Sequence, residues 1–312
     1  MGARADGLSL PLADVVASQE SRAQTLEVVW GKKAPCMRVD HLGSSKSVST
    51  RLNKIDIWVP ESPCSSENQQ LWIVYCHGGG WRDPTVDSMS LEPAIKVFVE
   101  SMKEGDVAGF ASIDYRLSPH ASDPKTHDDP ARNVHHPSHL IDVTNALLYL
   151  EKSFQIRGKY LFAGHSAGAT IAFQLHDIAN QLHTPLPAGI LGIAGIYKFD
   201  SLVEYHKDVP LYRLMMEAAF PPKLVNWEEV SPYSSHSPGA LWERVDTLIL
   251  SVSEEDEMVE NEQTSYMMER AKKDRGVRGV HFLKATGNHD GIWEHGHVLA
   301  GLIKDSIILM RQ

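Results

Sequence analysis

Residues 160–173, YLFAGHSAGATIAF, hold a serine at the centre of Gly164-His165-Ser166-Ala167-Gly168, between an apolar run and an amphipathic one. A hydroxyl on a tight turn from strand to helix stands clear of the sheet, and the flanking glycines admit the strained backbone such a turn needs. The new helix directs its first amides and its dipole at negative charge developing beside that hydroxyl. This is the setting of a nucleophile for acyl transfer, with Ser166 as the attacking group. A serine that only caps the helix is the plainer use of the residue. His165 is not the base, because neighbouring side chains on so sharp a turn diverge.

A serine hydroxyl needs a base to take its proton, and on a strand-turn-helix elbow the partners follow in the order acid, then histidine. The acid belongs after a later strand, where LILSVSEEDEMV offers Glu254, Glu255, Asp256 and Glu257 in succession. Asp256 is preferred: it lies a few residues past the strand and just before Met258 and Val259, which read as the start of the next helix. The other three read as a solvated turn. Of the histidines beyond this point, His281 lies within the strand-like GVHFLKA, and His295 and His297 fall at the start of the last helix. His289, in the glycine-bounded loop ATGNHDGIW, is left as the base. Asp290 beside it is too close in sequence to be its partner.

Acyl transfer passes through a tetrahedral oxyanion that rigid backbone amides stabilise. LWIVYCHGGGW (71–81) supplies three consecutive glycines after an apolar run. Glycine adds nothing to a core and is costly to order, so a run of them marks backbone that something approaches closely. We assign the amides of Gly78 and Gly79, with that of Ala167, to an oxyanion hole. His77 braces this loop, and Trp81 packs beside it or lines the acyl pocket.

These residues need elements to carry them. LWIVYC, VAGFASIDY, YLFAG, GILGIAGIY and TLILSVS are short, nearly all-apolar runs suited to a parallel sheet covered on both faces, whereas TLEVVWG and KIDIWVP alternate like half-buried strands. Between them, Leu140, Val143, Leu147 and Leu150 share one helical face, and Ile171, Leu175, Ile178 and Leu182 another. The expected class is therefore α/β, with a mostly parallel central sheet and helices on both faces. The polar stretch VPESPCSSENQ (59–69) reads as a surface connection. The spacing of His136, His139 and Asp142 could place metal ligands on one helical face; capping of a helix by a polar segment is the plainer account, and serine chemistry requires neither metal nor cofactor.

The 312 residues suffice for one large α/β domain with a sizeable core. The formal charge of −10, without a dense Lys/Arg cluster, argues against nucleic acid and anionic membrane as partners. No stretch approaches the ~20 apolar residues of a membrane helix, and residues 1–21 lack the apolar centre of a secretory signal, so a cytoplasmic location is expected. Cys36, Cys64 and Cys76 share no metal-type spacing and are odd in number; Cys76 reads as an apolar filler.

HGGGW (77–81), SIDYRLSP (112–119), HP followed by DVTNALLYL, and GHSAGA (164–169) together resemble the alpha/beta-hydrolase superfamily. Trp81 and the stretch LYRLMMEAAFPP look most like the fungal kynurenine formamidases, or arylformamidases. The resemblance implies a single alpha/beta-hydrolase domain over residues 1–312 with a small helical cap insertion around 198–240, and hydrolysis of the small molecule N-formyl-L-kynurenine to kynurenine and formate. It carries the nucleophile to Ser166, the acid to Asp256, the base to His289 and the oxyanion loop to Gly78-Gly79. A homodimer is allowed by the sequence without being specified by it. A carboxylesterase of the hormone-sensitive-lipase type shares the same motifs and would act on small esters. A non-catalytic ligand-binding protein could keep this fold too, but has no need of Ser166 and His289 together.

Overall fold

A computed structural model describes residues 26–28, 36–40, 50–59, 71–101, 107–120, 122–176, 184–234, 240–273 and 279–312. The N-terminal segment 1–21, most of the connection 59–69, Cys64, Ile178 and Leu182 lie outside the described residues. The apolar runs become strands of one nine-stranded sheet: β1 (Leu26–Val28), β2 (Cys36–Asp40), β3 (Lys54–Trp58), β4 (Leu71–Cys76), β5 (Val107–Ile113), β6 (Tyr160–His165), β7 (Gly189–Ile193), β8 (Thr247–Ser253) and β9 (Gly279–Ala285), in the order β1-β2-β3-β5-β4-β6-β7-β8-β9. The first three strands and the β3–β5 pair are antiparallel, and every pair from β5 to β9 is parallel. β2, CMRVD, is a strand that the sequence reading did not anticipate.

Strands buried on both faces must be covered on both, and the runs in β6, β7 and β8 are buried throughout. Alternate residues of β4 go to opposite cores. Val74 and Cys76 join Leu140, Val143, Leu147 and Leu150 of α2 (Ser138–Phe154) and Ile171 of α3 (Ala167–Gln174); Ile73 and Tyr75 join Ile95 and Phe98 of α1 (Glu92–Ser101) and Leu299 and Ile303 of α10 (His297–Met310). The remaining helices are α4 (Phe199–Tyr205), α5 (Pro210–Ala219), α6 (Trp227–Val230), α7 (Leu241–Arg244), α8 (Asn261–Lys273) and α9 (Gly291–Glu294), the first four of which lie between β7 and β8. Among the described residues no helix is long and apolar enough to cross a membrane.

The expected helical face running through Leu175 to Leu182 is cut short. α3 ends at Gln174 and Leu175 is extended. Its carbonyl accepts a hydrogen bond from Leu241 at 2.8 Å and His176 bridges Ala240, so the main chain is drawn away from the helix by the segment entering α7.

The strand order reverses at β4, which lies between β5 and β6. Connections leave such a point toward opposite sides of the sheet and open a crevice at the carboxyl ends of the strands. Residues 77–81 leave β4 there and Ser166 leaves β6, with Cys76 and Gly164 paired in register.

Candidate active site

Ser166 has φ 53° and ψ −121°, a sparsely populated conformation for a residue with a side chain. Its amide donates to the Ile193 carbonyl at 2.8 Å, tying the turn to the end of β7. Although Ser166 occupies the cap position of α3, its side chain makes no capping hydrogen bond. The glycines of the pentapeptide answer to close approach. A Cβ on Gly164 would come 2.5 Å from the Gly168 carbonyl oxygen, and one on Gly168 would overlap the carbonyl oxygen of Cys76 at the end of β4. The elbow is thereby pressed against the strand that carries the glycine loop.

In that loop, a Cβ on Gly78 would lie 3.0 Å from the Cβ of Ser166, so the backbone runs alongside the serine with no room for a side chain. Gly79 has φ 82°. The hydroxyl of Tyr115, fully buried, lies 3.0 Å from the carbonyl oxygen of His77 and 2.9 Å from that of Gly78. In a trans peptide the N–H points opposite to the C=O. With both carbonyls turned to Tyr115, the amides of Gly78 and Gly79 point away from it. The amide of Ala167, at the first turn of α3, has no partner within its own helix.

His77 braces this arrangement from beneath. Its ring stacks on that of Tyr115 with centroids 4.5 Å apart, Nδ1 lies 3.1 Å from the Gly78 carbonyl, and Nε2 lies 3.6 Å from Asp114 Oδ1. Burial pushes the His77 pKa down to about 4, and pushes that of Asp114 up to about 7. Asp114 accepts a hydrogen bond from the Ser88 amide at 2.6 Å, and the Ser88 hydroxyl donates to Asp56.

The acidic run separates into distinct tasks. Asp256 Oδ2 lies 2.7 Å from His289 Nδ1, with the carboxylate fully buried, while its Oδ1 accepts from the amides of Met258 and Val259, each at 2.9 Å. These bonds turn the chain at Met258 and Val259, and α8 begins at Asn261, three residues later than the expected start at Met258. Glu257 is more than a solvated neighbour, since its Oε2 accepts from the His289 amide at 3.1 Å. Glu254 pairs with Lys284 at 3.0 Å on the surface. His289 is thus held at both ring and backbone by adjacent acids, and it is buried. The His165 ring packs on that of His289 with centroids 4.6 Å apart, and burial together with the proximity of His289 holds the His165 pKa well below its ordinary value.

Trp81 is fully buried, edge-on to Phe220 at 5.0 Å and to Phe199 at 6.5 Å, so of its two expected roles this structure displays packing. His139 and Asp142 do not cap α2. His139 Nε2 meets the Ser118 hydroxyl at 3.0 Å, and Asp142 takes Arg116 in a two-pronged pair with both contacts at 2.8 Å. They tie α2 to the segment that carries Tyr115. The sequence reading gave no role to Tyr115, whose part depends on β5 lying beside β4.

A sequence profile described as alpha/beta hydrolase fold matches residues 73–285. The chain is 32% identical to a kynurenine formamidase-like hydrolase of Fusarium equiseti, covering 83% of this chain and 90% of the relative. It is also 32% identical to a kynurenine formamidase of Aspergillus versicolor, covering 79% and 92%, and 31% identical to a kynurenine formamidase of Meyerozyma guilliermondii, covering 76% and 84%. Among solved structures, carboxyl esterase 2 of Tuber melanosporum superposes with a TM-score of 0.63 at 17% identity over 96% of this chain and 94% of that one. With the sheet order, the profile match and relatives similar over most of their length in agreement, the chain belongs to the alpha/beta hydrolase fold family.

Proposed function

We propose that this protein is a serine-dependent hydrolase that cleaves the formyl amide of N-formyl-L-kynurenine, giving kynurenine and formate. The observation that carries the chemistry is the Asp256–His289 hydrogen bond, formed at the same end of the sheet as the strained Ser166 turn. The substrate is inferred from the names of the relatives, which cover most of this chain.

In this mechanism Ser166 Oγ attacks the formyl carbon while His289 Nε2 takes its proton. Asp256, bonded to Nδ1, fixes the tautomer and stabilises the imidazolium that forms. The carbonyl oxygen becomes an oxyanion held by the amides of Gly78, Gly79 and Ala167. The imidazolium then protonates the aryl nitrogen, the C–N bond breaks, and kynurenine leaves a formyl ester on Ser166. Water, losing a proton to His289, attacks that ester; the C–O bond to Ser166 breaks, the proton returns to the Ser166 oxygen, and formic acid departs and ionises to formate in solvent. Residues 198–240, holding α4 to α6, form a cap insertion on a single domain in this reading.

Incubating purified protein with N-formyl-L-kynurenine and following kynurenine and formate together tests the proposal. Equimolar release that disappears in Ser166→Ala is expected. An inert protein, or turnover that survives Ser166→Ala, refutes it.

A further inference from the structure

α5 spans the site from the acid side to the glycine loop. At its start the Tyr212 hydroxyl donates to the Met258 carbonyl at 2.8 Å, two residues past Asp256. At its end His135 Nδ1 contacts the Ala218 carbonyl at 2.6 Å, the His136 amide donates to Ala219, and Phe220 meets the Trp81 ring. Between these anchors lies Met215, half-buried, whose Sδ would be 2.5 Å from a Cβ on Gly80, with its Cγ at 3.4 Å. Residues on one helical face recur every three or four positions. Tyr212 and Met215 are turned to Met258 and Gly80 by these contacts and Ala219 is buried, whereas Leu211 and Leu214 are exposed.

Resting on the proposed roles of Ser166 and His289, the geometry points to Met215 as the residue that sets acyl-group size. The leaving group must face His289, which protonates it, so the acyl substituent extends away from His289 along residues 78–81. The thioether of Met215 stands over that stretch at Gly80. A hydrogen passes beneath it; a methyl meets it, and a longer chain meets it more fully. Methionine is unbranched and mobile, so it closes the space without a rigid fit.

The test reads kcat/KM for p-nitrophenyl acetate and p-nitrophenyl butyrate in the parent protein and in Met215→Ala, Met215→Phe and Leu214→Ala. One-carbon steps in a snug pocket are worth ~10- to 200-fold. Met215→Ala is expected to raise the butyrate-to-acetate ratio by at least ~10-fold, Met215→Phe to lower it, and the outward-facing Leu214→Ala to leave it unchanged. If the parent splits neither ester, Met215→Ala must gain acetate turnover. An unmoved ratio in both Met215 variants, or a variant that stays inert, overturns the assignment. A parent that cleaves acetate but not N-formyl-L-kynurenine defeats the substrate proposal alone, because the Met215 assignment is read on esters.

Discussion

Replacing Tyr115 by phenylalanine removes one oxygen atom that touches no proposed reacting group, yet it should slow the reaction. The hydroxyl is within hydrogen-bond distance of two loop carbonyls, those of His77 and Gly78, while the ring stacks on His77. Phenylalanine keeps the stack. The Gly78 carbonyl retains its contact with His77 Nδ1, but the His77 carbonyl loses the hydroxyl that it faces. One buried acceptor left unpaired costs ~1–3 kcal/mol, and the unfolding free energy should fall by about that much. The same two contacts orient the peptide planes whose amides are assigned to the oxyanion. Complete loss of one such donor costs ~10²- to 10³-fold in kcat, which sets a ceiling. A loop loosened but still present should lose about 10- to 100-fold, with KM little changed, because the interaction belongs to the transition state. Denaturant unfolding and steady-state kinetics on the same preparation measure both quantities. A variant that loses stability and keeps its full kcat would show that Tyr115 supports the fold alone, and would remove the argument that the carbonyl orientation prepares these amides for catalysis.

Asp256→Asn should lower kcat on the order of 10⁴-fold by losing the His289 tautomer, whereas Glu257→Gln keeps a carbonyl oxygen for the His289 amide and should stay near parent activity; a reversed ranking in steady-state assays would move the acid to Glu257. Because Ser166 sits at φ 53°, Ser166→Gly should unfold at higher denaturant than Ser166→Ala, by roughly 1 kcal/mol or more from relieved strain, with both variants inactive; equal midpoints would mean that the turn is unstrained. His77, His136 and His139 are buried, which depresses their pKa values from 6.5 to about 4, 4 and 3. The unfolded chain therefore binds protons that the native chain refuses, so stability is full above the ordinary histidine value and declines as pH falls below it. Asp114, with its pKa raised to about 7, works in the opposite sense. Asp114→Asn should consequently steepen the acid loss, read from denaturant midpoints across that range, and an unchanged slope would contradict it.

Signals carried by local pattern were legible before any coordinates. A buried strand, a turn of small residues and an amphipathic helix are written contiguously in 160–173, and the helical face of Leu140 to Leu150 follows one period. The contact of His289 with an acid after β8 follows chain order and a glycine-bounded loop, both visible in the sequence. What escaped notice depends on tertiary partners. Tyr115 matters because β5 lies beside β4, an adjacency that residues 107–115 do not encode by themselves. Glu257 looked like any exposed acid until the loop after β9 presented an amide to it. α3 stops at Gln174 although its apolar spacing continues, because Leu241, far along the chain, claims the Leu175 carbonyl. The strand β2 has three apolar residues in five, but Cys36 and Met37 are adjacent and break the alternation that would announce it.

β7 supplies none of the side chains assigned to chemistry, and its contribution is metric. Neighbouring strands stand ~4.8 Å apart, so β6, which ends in the nucleophile turn, is ~10 Å from β8 and ~14 Å from β9. The imidazole of His289 must travel back over β8 toward the end of β7, which stops at Ile193 and turns away at Ala194, where φ is 48°. β7 thus ends level with β6, at the pair Ile193 and His165, and two residues short of the end of β8. Residues 286–290 bring His289 back to the acids that follow β8, and the ties from Asp256 and Glu257 hold the loop at its end. Deleting one residue from 286–288 would leave Ser166, Asp256 and His289 all present in the chain and the base out of reach. An intact set of motif residues is thus insufficient to infer activity in a relative whose loop after this strand has changed length.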